Sequence, residues 1–247
     1  MDLSDIQPIP NEPALLLKSK KILVIADLHI GLESQLRENG LNVTSQTKNM
    51  TDHILSLRDK YNLEEIILLG DIKHNIPSAT ISERRDVKKF LNTIKEHAKI
   101  NIIPGNHDGF INKLATEDII IHPSTGFLIE NIGFIHGHRW PSEEIMQCDQ
   151  IIMGHTHPTI VFTDRLEFRA YEPCWLKSIF ISKKLKEKYP DAKCSDVLVM
   201  PAFNPLCGGI AANKQGITGP LGKIIDVKNA KVYLIDGTSI GKVGDIS

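Results

Sequence analysis

Five short apolar runs, each ending in a polar cluster, constrain this chain more than any other feature. Lys21 to Ala26 runs into Asp27-Leu28-His29, Glu65 to Leu69 into Gly70-Asp71, and Ile100 to Ile103 into Pro104-Gly105-Asn106-His107-Asp108. Ile132 to Ile135 runs into His136-Gly137-His138, and Gln150 to Met153 into Gly154-His155-Thr156-His157. Such runs, rich in Ile, Val and Leu, fit strands covered on both faces. Between them, Leu32 to Gly40 opens a helix. Lys48 to Tyr61 repeats apolar residues at Met50, Ile54, Leu57 and Tyr61, and Ser82 to Lys99 does so at Val87, Phe90, Leu91 and Ile94. That spacing is helical. Strand and helix alternating over the first hundred residues predict an α/β fold with parallel pairing.

Beyond His157 the pattern changes. Thr159 to Thr163 and Val197 to Met200 read as strands, and Lys223 to Val227 with Lys231 to Ile235 reads as a hairpin closed by Asn229-Ala230. These elements predict a second, more antiparallel sheet. Lys177 to Lys188 reads as a basic helix. With no internal repeat and no low-complexity linker, residues 1–247 are expected to form one domain.

In open α/β sheets, ligands bind beyond the carboxyl ends of the strands. Here those ends carry Asp27 and His29, Asp71, Asn106 and His107, His136, and His155 with His157. Carboxylates, imidazoles and one amide oxygen form a mixed N/O donor set that suits Mn, Fe, Zn or Ni better than Mg alone. No thiolate belongs to it, which argues against a structural zinc site. The donors are too many for one ion with an open position, and they suit two ions roughly 3.5–4 Å apart. A lone Asp-x-His, or Gly-Asn-His-Asp as a turn, means little by itself; five in order, each closing an apolar run, mean a site.

Cys148, Cys174, Cys194 and Cys207 show no close pairing and read as reduced thiols. The acidic N-terminus is unlike a signal peptide, and no run of eighteen apolar residues occurs, so a soluble cytoplasmic protein away from membranes is expected. The formal net charge of -1 excludes a polycation; a nucleic acid would have to meet a local basic face. Lys177, Lys183, Lys184, Lys186 and Lys188 could supply one, or could be the solvated side of a helix. Arg165 and Arg169 stand near Tyr171 and Trp175, which could stack on bases or belong to the core.

The ordered motifs D-x-H, G-D, G-N-H-D, H-G and G-H-x-H over Asp27 to His157 resemble the calcineurin-like metallophosphoesterases. The resemblance implies a four-layer αββα sandwich of two mixed β-sheets flanked by helices, with a dinuclear centre of divalent transition-metal ions: Mn first, with Fe, Zn or Ni as alternatives. It implies that Asp27, His29 and His157 hold one ion, that Asn106, His136 and His155 hold the other, and that Asp71 bridges them. His107 matches the family's acid, which protonates the leaving oxygen. Asp108 or His74 would orient its imidazole, and His138 and Lys73 would contact substrate.

Three finer features are similar to SbcD-related phosphoesterases and ligase-associated nucleases. These are Asp27-Leu28-His29-Ile30-Gly31-Leu32-Glu33, the His74 that follows Asp71, and Pro201-Ala202-Phe203-Asn204-Pro205 with Gly208-Gly209. That subgroup implies hydrolysis of phosphodiester bonds in DNA or RNA and hints at a homodimer. With the sequence ending at Ser247, the C-terminal cap and ATPase-docking segment of the SbcD-type nucleases are expected to be lacking, which makes an SbcC-like partner doubtful. A small-molecule phosphodiesterase or phosphatase with a nucleotide-type substrate would use the same motifs. A non-catalytic scaffold is the third reading, and the intact motif set speaks against it.

Overall fold

The computed structural model describes residues 5–246. It begins with an antiparallel meander, β1 (Ile6–Pro8), β2 (Ala14–Leu17) and β3 (Ile22–Ile25), followed by α1 (Leu32–Glu38) and α2 (Thr47–Tyr61). Then come β4 (Glu65–Leu68), α3 (Ile81–Lys95), β5 (Lys99–Ile102) and the short β6 (Ile120–Ile121). Strands β3 to β6 pair in parallel, so this first sheet has the order β1-β2-β3-β4-β5-β6. Parallel neighbours need a crossover, and α2 and α3 supply it.

The second sheet starts earlier than the sequence pattern predicts. Its first strands are β7 (Phe127–Ile129), β8 (Ile132–Ile135) and β9 (Gln150–Met153), so His136 and His155 sit on a different sheet from Asp27 and Asp71. Next are β10 (Pro158–Thr163), β11 (Arg169–Ile179), α4 (Ser182–Lys188), β12 (Asp196–Val199), β13 (Ile210–Ala211) and α5 (Ala212–Gln215). The sheet order is β13-β10-β11-β12-β9-β8-β7, and β14 (Lys231–Leu234) with β15 (Ser239–Lys242) branches from β11.

Two expectations need correction. The C-terminal hairpin is β14–β15, turned at Asp236-Gly237; residues 223–227 contribute only a bridge between Ile225 and Phe180. Asp-Gly is the stronger turn signal, because its glycine takes a positive φ of 92° at no steric cost. The basic stretch from Lys177 is also not all helix. Lys177 belongs to β11, and helix begins at Ser182.

Period-two alternation assigns the layers. Leu23 and Ile25 of β3 face α2 and α3, packing with Met50, Ile54, Leu57, Phe90 and Leu91. Ile22, Val24 and Ala26 face the second sheet and meet Phe134, Ile152, Trp175 and Leu198. The far side of the second sheet packs Met153, Leu176 and Val199 beneath Leu185 of α4 and Leu221 and Ile224 of an irregular segment. The result is a helix–sheet–sheet–helix sandwich whose last layer is short helices and turns. Burying each large apolar side chain stabilises this arrangement by roughly 1.5–3 kcal/mol. Trp175, only 1% exposed, is part of the core between the sheets, whereas Tyr171 on the same strand is 52% exposed.

Candidate metal centre

The carboxyl ends of β3, β4 and β5 in one sheet and of β8 and β9 in the other meet at one edge of the sandwich. Main-chain and ring groups tie the sheets together there. The His155 amide donates to Asp27 Oδ2 at 3.0 Å, and His136 Nδ1 lies 3.0 Å from the Leu69 carbonyl oxygen. Glycines permit the approach. A Cβ on Gly70 would lie 2.2 Å from His136 Nδ1, and one on Gly105 would lie 2.1 Å from Asp71 Oδ1.

Asp27, His29, Asp71, His155 and His157 all have left-handed backbone, with φ from 42° to 70°. Non-glycine residues rarely adopt it, at roughly 1–3 kcal/mol each, and such strain clusters where geometry matters more than stability. The Pro201–Gly208 segment braces it. The Phe203 amide donates to the Ala26 oxygen at 2.8 Å, and buried Asn204 donates through Nδ2 to the Leu28 oxygen at 2.8 Å.

The donors converge. His157 Nε2 is 3.3 Å from Asp27 Oδ1 and 3.4 Å from His29 Nε2. His136 Nε2 is 3.2 Å from Asp71 Oδ2, and His29 Nε2 is 3.6 Å from the same oxygen. Asp71 with His136 and His155, and Asp27 with His29 and Asp71, each bring their donor atoms within 4.8 Å of one another. Carbonyl partners decide the imidazole tautomers. His136 gives its Nδ1–H to Leu69, and His157 gives its Nδ1–H to Gly208 at 3.1 Å, which leaves both Nε2 lone pairs pointing at carboxylates. Although it lies within range of Asp71, the buried His136 Nε2 makes no aligned hydrogen bond. Acceptors facing acceptors in a buried pocket require a cation. The donor set therefore fits divalent metal.

The electrostatics agree. Burial lowers His29 to about 3, against the pull of Asp71 and Asp27, and burial beside His136 lowers His155 to about 4. Both imidazoles are neutral at ordinary pH, the form that metal ligation needs. Against burial, the approach and charge of His136, with His29, hold Asp71 well below the usual carboxylate range. Without a metal, His136 is the compensating cation: burial opposes its protonation, yet Asp71 and Asp27 raise it to about 9.

A scan against family models matches residues 21–171 to the calcineurin-like phosphoesterase superfamily domain. The chain belongs to that superfamily. It is accordingly a hydrolase acting on ester bonds. Among solved structures, a nuclease from Pseudomonas putida, termed MPE, is 18% identical over 96% of this chain and 99% of its own, with a TM-score of 0.57. YfcE, a phosphoesterase from E. coli, is 16% identical over 90% of this chain and 97% of its own, with a TM-score of 0.41. The likeness to the first is one of fold. Among the described residues, no helix is long and apolar enough to cross a membrane.

The remaining residues singled out from the sequence divide. Asn106 is exposed and precedes His107, whose amide donates to Asp71 Oδ1 at 2.8 Å. His107 is half-buried; its Nδ1 meets the His74 carbonyl oxygen and its Nε2 lies 4.0 Å from Asp71 Oδ2. Asp108 does not orient that ring. Its carboxylate accepts from the amides of Ile72 (2.8 Å), Lys73 (3.2 Å) and Gly105 (2.8 Å) and joins two motif loops. His74 orients His107 through its main chain, while its own ring nitrogens face His29 Nδ1 at 3.2 Å and Gln35 Oε1 at 2.5 Å.

Lys73 is no substrate contact. It is 1% exposed, and its ammonium group is held by the Asn75 carbonyl oxygen. His138 is half-buried with an unpartnered Nδ1, its ring 6.2 Å from that of His155; burial and the charges of His136 and His155 lower it to about 4.

Two participants escaped the sequence reading. Buried Glu83 accepts from the amides of His74 (2.6 Å), Asn75 (2.8 Å) and Thr80 (3.1 Å), and so supports the His74 carbonyl. A Thr-x-x-Glu capping box at Thr80 was the available signal. Cys207 brings Sγ within 4.8 Å of donors on His29 and His157, with burial and Asp27 holding its thiol well above the usual range. No close spacing in sequence announces it.

Proposed function

We propose that this chain is a two-metal phosphodiesterase that cleaves nucleic acid. Asp27, His29 and His157 would hold one divalent ion, Asn106, His136 and His155 the other, and Asp71 would bridge them, with Mn²⁺ the expected metal. The observation that carries this reading is the meeting of carboxylate oxygens and carbonyl-fixed Nε2 lone pairs at one buried edge. When bound, the ions supply an activated water and neutralise phosphoryl charge.

The protein groups divide the remaining work. His107, its Nδ1–H engaged by the His74 carbonyl, turns Nε2 toward the centre. Protonated there, it donates to the leaving oxygen as the P–O bond breaks. His138, kept neutral, stands at the rim as a substrate contact. The 157–163 segment leads from the last ligand into the β10–β11 pair, whose far end, Phe162 and Thr163 with Arg169 to Pro173, is exposed and gives a polymeric substrate room to extend. The shared fold of the Pseudomonas putida nuclease points the same way.

The test is to strip the metal, restore Mn²⁺, and compare bis(p-nitrophenyl) phosphate with p-nitrophenyl phosphate. A diester preference that disappears in Asp71→Ala supports the reading. A monoester preference transfers it to a small-molecule phosphatase.

A further inference from the structure

Resting on that reading, we infer that the groove between β10–β11 and α5 is the binding track for single-stranded nucleic acid leaving the metal centre, with Arg169 and Lys214 on its phosphates and Tyr171 under a base. The groove measures about 720 Å³ and is lined by Val161, Thr163, Arg169, Tyr171, Gly209 and Lys214. Cross-strand register explains its makeup: Val161 opposes Tyr171 and Thr163 opposes Arg169, so these four share one face. The carboxylate of Glu172, opposite Ile160, falls on the other face.

The track is continuous with the centre. Gly209 follows Gly208, whose carbonyl fixes His157. Val161 lies four residues past His157, about 13 Å along an extended strand. Lys214 is positioned by its neighbour: Asn213 pairs with Val161 like an added strand, accepting its amide at 3.1 Å and donating to its carbonyl at 2.9 Å. Among the described residues, no carboxylate forms an ion pair with Arg169 or Lys214. Both are exposed, as is Tyr171. Free cations beside an open aromatic face suit phosphates carrying unstacked bases, and a duplex keeps its bases from such a ring.

The double variant Arg169→Gln/Lys214→Gln and the single variant Tyr171→Ala test this in the Mn²⁺-loaded full chain. Anisotropy of a labelled oligothymidylate reads binding, and hydrolysis of bis(p-nitrophenyl) phosphate reports on the centre. The double variant should flatten the dependence of log Kd on log salt by about 1.4, close to 0.7 for each lost phosphate contact. Tyr171→Ala should weaken binding about tenfold, within the range for loss of one stacked base. Neither variant should alter kcat/KM for the small diester. Unchanged oligothymidylate binding overturns the track, and so does equal binding of a duplex that ignores Tyr171. Wild-type protein that binds oligothymidylate through these residues yet hydrolyses no diester would sink the phosphodiesterase reading and leave the track standing.

Discussion

The Nδ1 of His107 faces the main-chain carbonyl oxygen of His74, so a backbone atom, not the adjacent Asp108 carboxylate, fixes that imidazole. The neighbour in sequence has a different task, and the two residues should separate on mutation.

His107→Gln removes the proposed proton donor while the residue's backbone amide continues to serve Asp71. We expect kcat on bis(p-nitrophenyl) phosphate to fall roughly 10²–10⁴-fold with metal content unchanged. His74→Ala keeps the carbonyl and should lose less than about tenfold, under about 1.4 kcal/mol. Steady-state kinetics with metal analysis of both variants decide this; an equal collapse would make the His74 ring the determinant.

Asp108→Asn should act on stability. Both carboxylate oxygens accept backbone N–H groups, and an amide can do so on one side only. Leaving a buried N–H against another N–H costs about 1–3 kcal/mol. Urea unfolding of the metal-free protein should show that loss, and an unchanged midpoint would contradict it.

Gly105→Ala brings a Cβ to 2.1 Å from Asp71 Oδ1 and 2.5 Å from the Asp71 nitrogen. One is a backbone atom and the other belongs to the buried Asp71 carboxylate among the clustered donors, so neither can yield without moving that cluster. Metal bound per chain, read by plasma mass spectrometry, should drop below that of wild type, with activity lost in parallel. Full loading would show that the loop can open without harm.

Glu83→Ala strips acceptors from the partly buried hydrogen bonds made by the amides of His74, Asn75 and Thr80 and releases the loop that holds His107. We expect a loss of about 1–3 kcal/mol, because several partly buried amides lose their acceptor at once, together with reduced kcat. Glu83→Gln should recover part of both. If the thermal midpoint falls while kcat holds, Glu83 serves only the helix cap.

The sequence by itself determined the strands that end in the motifs, the order of the motifs and the donor types, because a buried strand must be apolar and a hard or borderline cation is best met by oxygen and imidazole. Period-two alternation in Ile22 to Ile25 even separates the residues that face α2 and α3 from those that face the second sheet. Tertiary structure alone decided what those residues do to one another. Lys73 follows a metal motif yet is buried, Asp108 is spent on backbone amides, and His74 acts through its carbonyl. Glu83 and Asn204 enter from distant segments. A side chain's chemistry belongs to its residue type, but its partners depend on which backbone groups the fold leaves without hydrogen bonds, and those appear only when two sheets and their loops have closed on one edge.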